Sequence, residues 1–486
     1  MKSSNITNNE INLPELELLH AIGGLADEKG IEVYLVGGAV RDAMLSKTNF
    51  DLDIVVVSDG IKFAKQMKKT LNADSIVAWE KFGTAELTKG NLKIEVATAR
   101  SEEYVKSSRK PTVEPADIQT DLRRRDFTIN SMAVRLNEAE FGNLIDPFGG
   151  REDLEKKVLK TPLDPVETFD EDPLRMLRAI RFSSQLGFEI DSGVIRAIRK
   201  EKERLSIVSQ ERITSELLKI LASPKPSVGI AGLLGSELLE IVLPEMIPTI
   251  GVEQVGRYHH KDVFWHTLEV LDNLAEMSED LDLRFSALVH DIAKPDTKEF
   301  KEDKGWTFHG HEVLGSRMVE DLGRRLKLSN KTIKFAKKMT YLHLRPIALV
   351  SEEVTDSAVR RLIVEAGDDV ESLMLLCRAD ITTKNPDKAD QYMRNFEIVE
   401  EKIKEVLEKD EMKAFQSPVR GEEIMKICQI SEGIVVGKIK NVIEQAILDG
   451  VIPNDYDASY DYLIENKDKW LSEFKSQINT KTETTQ

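Results

Sequence analysis

At 486 residues the chain is long enough for several domains with cores of their own, and its 41% hydrophobic and 31% charged residues are those of a soluble globular protein. No apolar run approaches the ~18 residues that span a bilayer, which excludes a membrane-spanning helix. A formal net charge of −17 excludes bulk electrostatic coating of nucleic acid, so any RNA contact must come from local patches, such as Arg123, Arg124 and Arg125 or the arginine-rich stretch from Arg175 to Arg204.

The opening segment MKSSNITNNEINLPE lacks the basic start and apolar stretch of a secretory signal, and the cysteines are Cys377 and Cys428. A reducing, cytoplasmic setting is expected. Over the first 150 residues, short β-like runs (EVYLVG, DLDIVVV, NLKIEVAT) alternate with helical segments such as GIKFAKQMKKTLN, the pattern of an α/β or α+β domain. From about Asp172 onward apolar residues recur at helical spacing, with Gly and Pro breaks near 224–226, 248–251, 345–346 and 418–421, and the remainder reads as all-helical.

In YLVGGAVRDAML a strand runs through a glycine turn into a helix, and Gly37 and Gly38 let backbone N–H groups approach a phosphate, with Arg41 on the first helical turn. In NFDLDIVVV, Asp51 and Asp53 stand two apart on a strand, so both carboxylates leave the same face. Hard oxygen donors on a rigid strand suit Mg²⁺, which takes one or two carboxylates plus substrate phosphates. A bare D-x-D is more often a pair of strand-end caps. Glu95, in LKIEVATAR, is a third acid on a strand-like run.

LVGGAVRD, the D-x-D, DLRRRDFTINSMAV (121–134), DPFGG (146–150) and EDPLRMLRAIRF (171–182) resemble, in order and spacing, the bacterial-type tRNA nucleotidyltransferase and poly(A) polymerase family. SQERITSELLKIL (209–221) resembles its neck region. The resemblance implies an α+β fold: a small mixed-sheet nucleotidyltransferase head (1–150), a helical neck that reads the nucleotide (151–225), a body (226–400) and a tRNA-gripping tail (401–486). It also implies two-metal phosphoryl transfer, with Mg²⁺ on Asp51 and Asp53, Glu95 beside them, and Gly38, Arg41 and Arg125 at the triphosphate or sugar. Asp126 has a plainer alternative, capping a helix begun by FTINSMA.

Asp172, Arg175, Arg178 and Arg181 recur every third residue on a predicted helix, each step turning about 60° backward, so Arg181 is expected roughly opposite Asp172. An i,i+3 ion pair between Asp172 and Arg175 is one reading. In the other, a carboxylate and a guanidinium together match the exocyclic amino donor and ring-nitrogen acceptor shared by cytosine and adenine. RSEEYVKSSRKPTV reads as a polar loop and resembles the flexible loop with which members of the family switch from C to A, with Tyr104 and Arg109 in it. Arg109 could equally be an ordinary exposed residue. The VGGAVRD turn lacks the basic G-R-R character of the poly(A) polymerases, which favours CCA addition to tRNA from CTP and ATP.

Seven of eight histidines fall between His259 and His343. His266, His290 with Asp291, and Asp380 resemble the H…HD…D ligand set of HD-type metal phosphohydrolases, each on a helix, and His311 and His343 resemble the extra histidines of two-metal forms. Such a set suits Mn, Fe, Ni, Co or Zn. His259, His260 and His309 read as neighbours. In the tail, Gly421, Gly433 and Gly437 between short helices resemble a helix–hairpin–helix, or else a glycine-capped helical hairpin. Three functions stay open: CCA addition, poly(A) synthesis, and an RNA-binding head serving an active HD domain.

Overall fold

The computed structural model describes residues 13–483 apart from 48–50, 106–107, 254–261, 303–304, 352–354, 384 and 411–416. The chain divides into two compact units, Met1–Ile247 and Pro248–Gln486.

The first unit opens on the helix Leu16–Lys29 and then builds its sheet. Strands β1 (Val33–Val36), β2 (Asp51–Val56), β3 (Ser75–Trp79), β4 (Thr84–Lys89) and β5 (Leu92–Thr98) are followed by an outlying pair, β6 (Arg100–Val105) and β7 (Ser108–Pro115). The short strands β8 (Ala133–Arg135) and β9 (Leu144–Ile145) return to the main sheet, whose order is β3-β4-β5-β2-β1-β8-β9. The sheet is mixed, since β2 and β5 run parallel while the other neighbours are antiparallel. Period-two burial sets the faces: Leu52 and Ile54 enter a core with Leu35, Phe63, Ile94 and Val96, and Asp51 and Asp53 therefore leave on the other side. A tiny parallel pair, β10 (Val158–Leu159) with β11 (Glu189–Ile190), marks the passage into helices, among them Pro165–Glu171, Leu174–Leu186 and Gln210–Leu221.

The second unit is helical, with Val263–Met277, Leu281–Val289, His311–Arg325, Asn330–Leu342 and Val370–Ala379 among its helices. It also holds a hairpin, β12 (Glu299–Lys301) and β13 (Gly305–Thr307). A separate apolar cluster around Ile439, Ile443, Leu463 and Trp470 closes the chain. Among the described residues no helix is long and apolar enough to cross a membrane.

Four local expectations change. The segment read as a polar loop, RSEEYVKSSRKPTV, forms most of the antiparallel β6–β7 pair, in keeping with the strand preference of its Tyr, Val and Thr residues. The side chains of Tyr104 and Arg109 lie outside the described part. FTINSMA makes one 3₁₀ turn, Thr128–Asn130, and then strand β8, because the Ser131 hydroxyl and Asn130 amide bond back to residues 127 and 126 and end the turn. The all-helical remainder is interrupted by β11, β12 and β13. Of the tail glycines, Gly433 caps the helix Ile434–Leu448, whereas Gly421 and Gly437 lie within helices.

Candidate functional site

Strand register puts the three carboxylates on one face of the sheet, with Asp53 the one of them that lines the cleft described below. Asp53 on β2 is the direct partner of Glu95 on β5, and parallel partners project to one face. Asp51 lies two residues along the same strand. Burial raises the Asp53 carboxyl to about 6, with the Glu95 and Asp51 charges adding to the rise and Arg125 opposing it. An acid cluster that destabilises its own ionised form has the donor chemistry for a hard divalent cation.

Gly37 brings a second wall to this face. Its φ is +68°, and a Cβ there would lie 2.9 Å from Arg125 Nη1 and 3.4 Å from Asp53 Oδ2. Only glycine meets both demands. Gly38 opens the helix Gly38–Met44 and meets no such crowding. Arg41, on that helix, is buried; its Nη1 donates to Asn130 Oδ1 at 2.8 Å and its Nε to Asp42 Oδ1 at 2.8 Å. Arg125 donates to Asp121 Oδ2 at 3.0 Å.

The neck supplies the remaining walls of a cleft of about 470 Å³. Gly37, Gly38, Arg41, Asp53, Arg125, Asp172, Arg175, Arg178 and Arg181 all line it. Asp172 is not on the helix: it closes Pro165–Glu171 in extended conformation, and its Oδ1 accepts from the Leu174 N–H at 3.2 Å, at the start of Leu174–Leu186. Helical-wheel angles therefore do not apply to it. This is why Arg181, expected opposite, lines the same cleft.

The three neck arginines have different anchors. Arg175 donates to Glu171 Oε2 (3.0 Å), the Thr168 carbonyl (3.2 Å) and, across to the head, the Arg124 carbonyl (2.6 Å). Arg178 donates to buried Asp126 Oδ2 at 2.7 Å. Asp126, for which helix capping was the plainer alternative, is the counter-ion of Arg178: burial alone would raise its carboxyl, but Arg178 and the Asn130 amide hold it down at about 2. Arg181 pairs with buried Glu216 at 3.0 Å and lies over the Phe182 ring. Sequence reasoning passed over Asn130, Phe182 and Arg212, which also line the cleft. Arg212 lies 3.9 Å from Asp172. All three sit inside the stretches RRRDFTIN, RAIRF and SQERITSEL, so the signal was present.

In the second unit the six expected ligands also meet. His266 Nε2 lies 2.9 Å from Asp380 Oδ1, His290 Nε2 3.2 Å from Asp291 Oδ2, and His311 Nε2 3.3 Å from Asp291 Oδ1 and 3.2 Å from His343 Nε2. They form two triads with spacing suited to metal ions, His266–His290–Asp380 and Asp291–His311–His343. Only His266 sits well inside a helix; His290, His343 and Asp380 occupy helix C-caps and His311 opens one. That placement lets the Nδ1 of His290, His311 and His343 each meet the carbonyl three residues earlier, at 2.7–2.8 Å, leaving Nε2 for a metal. His290 Nε2 and both Asp291 oxygens are fully buried; they make no well-aligned hydrogen bond and meet as ion pairs with each other, with His311 and with Lys294, whose Nζ lies 2.6 Å from Asp291 Oδ2. Buried ligand atoms so incompletely satisfied fit a cation. Burial favours a neutral His290, yet Asp291 and Asp380 push its pKa up to about 10, a measure of the negative charge gathered there. His309 is exposed. His259 and His260 lie outside the described residues.

Residues 33–160 match the profile "Poly A polymerase head domain", residues 187–249 match "Probable RNA and SrmB- binding site of polymerase A", and residues 263–385 match "HD domain". The A-adding tRNA nucleotidyltransferase of Deinococcus radiodurans is 30% identical over 85% of this chain and 90% of its own length. This chain belongs to the tRNA nucleotidyltransferase and poly(A) polymerase family. The Multifunctional CCA protein of Vibrio parahaemolyticus, another relative, is 32% identical over 72% of this chain and 85% of its own. A solved CCA-adding enzyme in complex with CTP is 27% identical, with a TM-score of 0.61 over 93% of this chain and 96% of that one. The family membership makes the protein a nucleotidyltransferase with an HD domain.

Proposed function

We propose that the head–neck cleft adds C, C and A to the 3′ end of tRNA from CTP and ATP without a nucleic-acid template. The observation that carries this reading is the meeting, in one cleft, of the strand-borne Asp53 with the arginines of the glycine turn and with Asp172 of the neck. Asp51 and Asp53, with Glu95 beside them, would hold Mg²⁺, which when bound favours ionisation of the RNA 3′-hydroxyl and neutralises the triphosphate. Arg41 and Arg125 screen the triphosphate from fixed positions, so little reorganisation is needed as charge moves. Asp172 accepts from the exocyclic amino group of cytosine or adenine while a guanidinium donates to the ring nitrogen. Arg175 commits three donors to its anchors, which fixes the plane of its fork, and Arg212 offers a second guanidinium beside Asp172.

A narrower activity, addition of the terminal A alone, is favoured by one observation: the Deinococcus relative is named for it. Transcripts of one tRNA ending before the first C, after one C and after two decide the matter with CTP or ATP singly. CCA addition extends all three; A-only addition extends just the last. Poly(A) synthesis would instead extend unstructured RNA.

We further infer a metal-dependent phosphoester hydrolase in the HD domain, carried by the two buried triads of ligand atoms at metal spacing. A transition ion such as Mn, Fe, Ni, Co or Zn, held by the two triads, would supply Lewis-acid polarisation of a phosphoryl oxygen. Elemental analysis of dialysed protein beside a phosphodiesterase assay tests it. The free, buried cysteines agree with a reducing, cytoplasmic setting.

A further inference from the structure

The hairpin inside the HD domain has no part in the chemistry described so far. Strands β12 and β13 pair only with each other among the described residues, and Phe300 and Trp306 are direct cross-strand partners. Both side chains face water, 59% and 37% exposed, with ring centroids 5.2 Å apart and planes 72° apart. Lys298 Nζ stands 4.4 Å over the Trp306 ring. A two-stranded hairpin this short is marginal by itself, and leaving its two largest apolar side chains in water forfeits the stabilisation their burial would bring. The arrangement makes physical sense if a partner covers the rings.

Both feet of the hairpin are tied to the histidine–aspartate cluster. On the incoming side Lys294 Nζ lies 2.6 Å from Asp291 Oδ2, and the Thr297 hydroxyl donates to the Ala293 carbonyl at 3.0 Å. On the outgoing side the Phe308 carbonyl meets His311 Nδ1 at 2.7 Å, and the Phe308 ring lies 5.8 Å from Lys294 Nζ. Trp306 stands two residues of strand, roughly 7 Å, before Phe308, and Phe300 three residues after Thr297.

We propose that Phe300 and Trp306 form a stacking ledge for the terminal base of a single-stranded RNA 3′ end, whose phosphoester lies on the HD cluster. The inference rests on reading that cluster as a metal centre. Aromatic faces accept any base by stacking, and a lysine at each end, Lys298 beside the ring and Lys294 beside the cluster, suits the phosphates in a chain that is otherwise acidic. A free mononucleotide would call for an enclosing pocket. The two rings stand on an open hairpin, which suits a base that its own strand also holds in place.

The test uses the full-length protein, a three-nucleotide oligoadenylate bearing a 3′-phosphate, and AMP, each titrated against tryptophan fluorescence with Mn²⁺ present. Trp306→Phe identifies the Trp306 signal. The oligonucleotide should quench it, Phe300→Ala should weaken that binding about tenfold, and AMP should bind more weakly than the oligonucleotide. With hydrolysis as a second readout, Phe300→Ala should raise KM for the oligonucleotide by a similar factor while leaving bis(p-nitrophenyl) phosphate, which has no base, unchanged. An oligonucleotide that leaves Trp306 silent, AMP binding as tightly as RNA, or equal losses on both substrates would overturn the proposal. Binding through Trp306 without hydrolysis of any substrate would keep the ledge and discard the hydrolase reading on which its phosphate position rests.

Discussion

Asp53 and Glu95 face each other across the parallel β2–β5 pair, so the third acid of the head is placed by strand register. Glu95→Gln should lower kcat for nucleotide addition by about 10- to 100-fold, roughly 1.4–2.7 kcal/mol of transition-state stabilisation, with tRNA affinity unchanged. Glu86, the partner of Glu95 on β4, is the control one strand further from Asp53 and should tolerate Gln with a smaller loss. Equal effects of the two substitutions, read from single-turnover rates, would remove Glu95 from the site.

The Asp126–Arg178 pair ties the head to the neck helix. Its folded pKa of about 2 lies below the ordinary carboxylate value, so the stabilisation it brings is complete above about pH 4 and is lost as the pH falls through about 2. Asp126→Asn should cost about 2 kcal/mol near neutral pH. Thermal unfolding of the two proteins should show a constant gap above pH 4 that narrows below it; a gap that widens on acidification would contradict the pairing.

Selection is expected to fail at Asp172. Asp172→Ala should erode discrimination against UTP and GTP more than it slows addition at saturating CTP, since the lost carboxylate reads the base and leaves the acid cluster intact. Competition assays with all four nucleotides check this, and uniform losses would reduce Asp172 to a helix-start residue bonded to the Leu174 amide.

Much of this was legible in the sequence because the decisive features are local. The D-x-D alternation on β2 and the glycine turn before Arg41 depend on period-two geometry and a few residues of chain. The HD ligands could be named from their types and order, yet their positions at helix ends could not, because capping is settled by where the next turn packs. Asp172 was misplaced on a helical wheel for a different, local reason: it precedes Pro173, and the residue before a proline is pushed out of helical conformation. The β6–β7 pair and the β12–β13 hairpin were missed because short polar strands lack an apolar period.

The two metal-type sites should be separable. His290→Ala and Asp291→Ala should lose a transition metal that the wild type retains through dialysis, while nucleotide addition in added Mg²⁺ is unchanged. His343→Ala, which removes a ligand from the Asp291–His311–His343 triad alone, should lose roughly half of that metal. Elemental analysis alongside the addition assay reads both, and metal loss coupled to loss of addition would show that the sites are not independent.

The most direct measurement is addition by Asp53→Asn to a tRNA lacking its CCA end, with CTP, ATP and Mg²⁺, beside tRNA binding by the same protein. The account predicts that the wild type adds C, C and A while the variant binds tRNA with near-wild-type affinity and adds nothing detectable. Addition at an undiminished rate by the variant would contradict the assignment of nucleotidyl transfer to the β2 carboxylates.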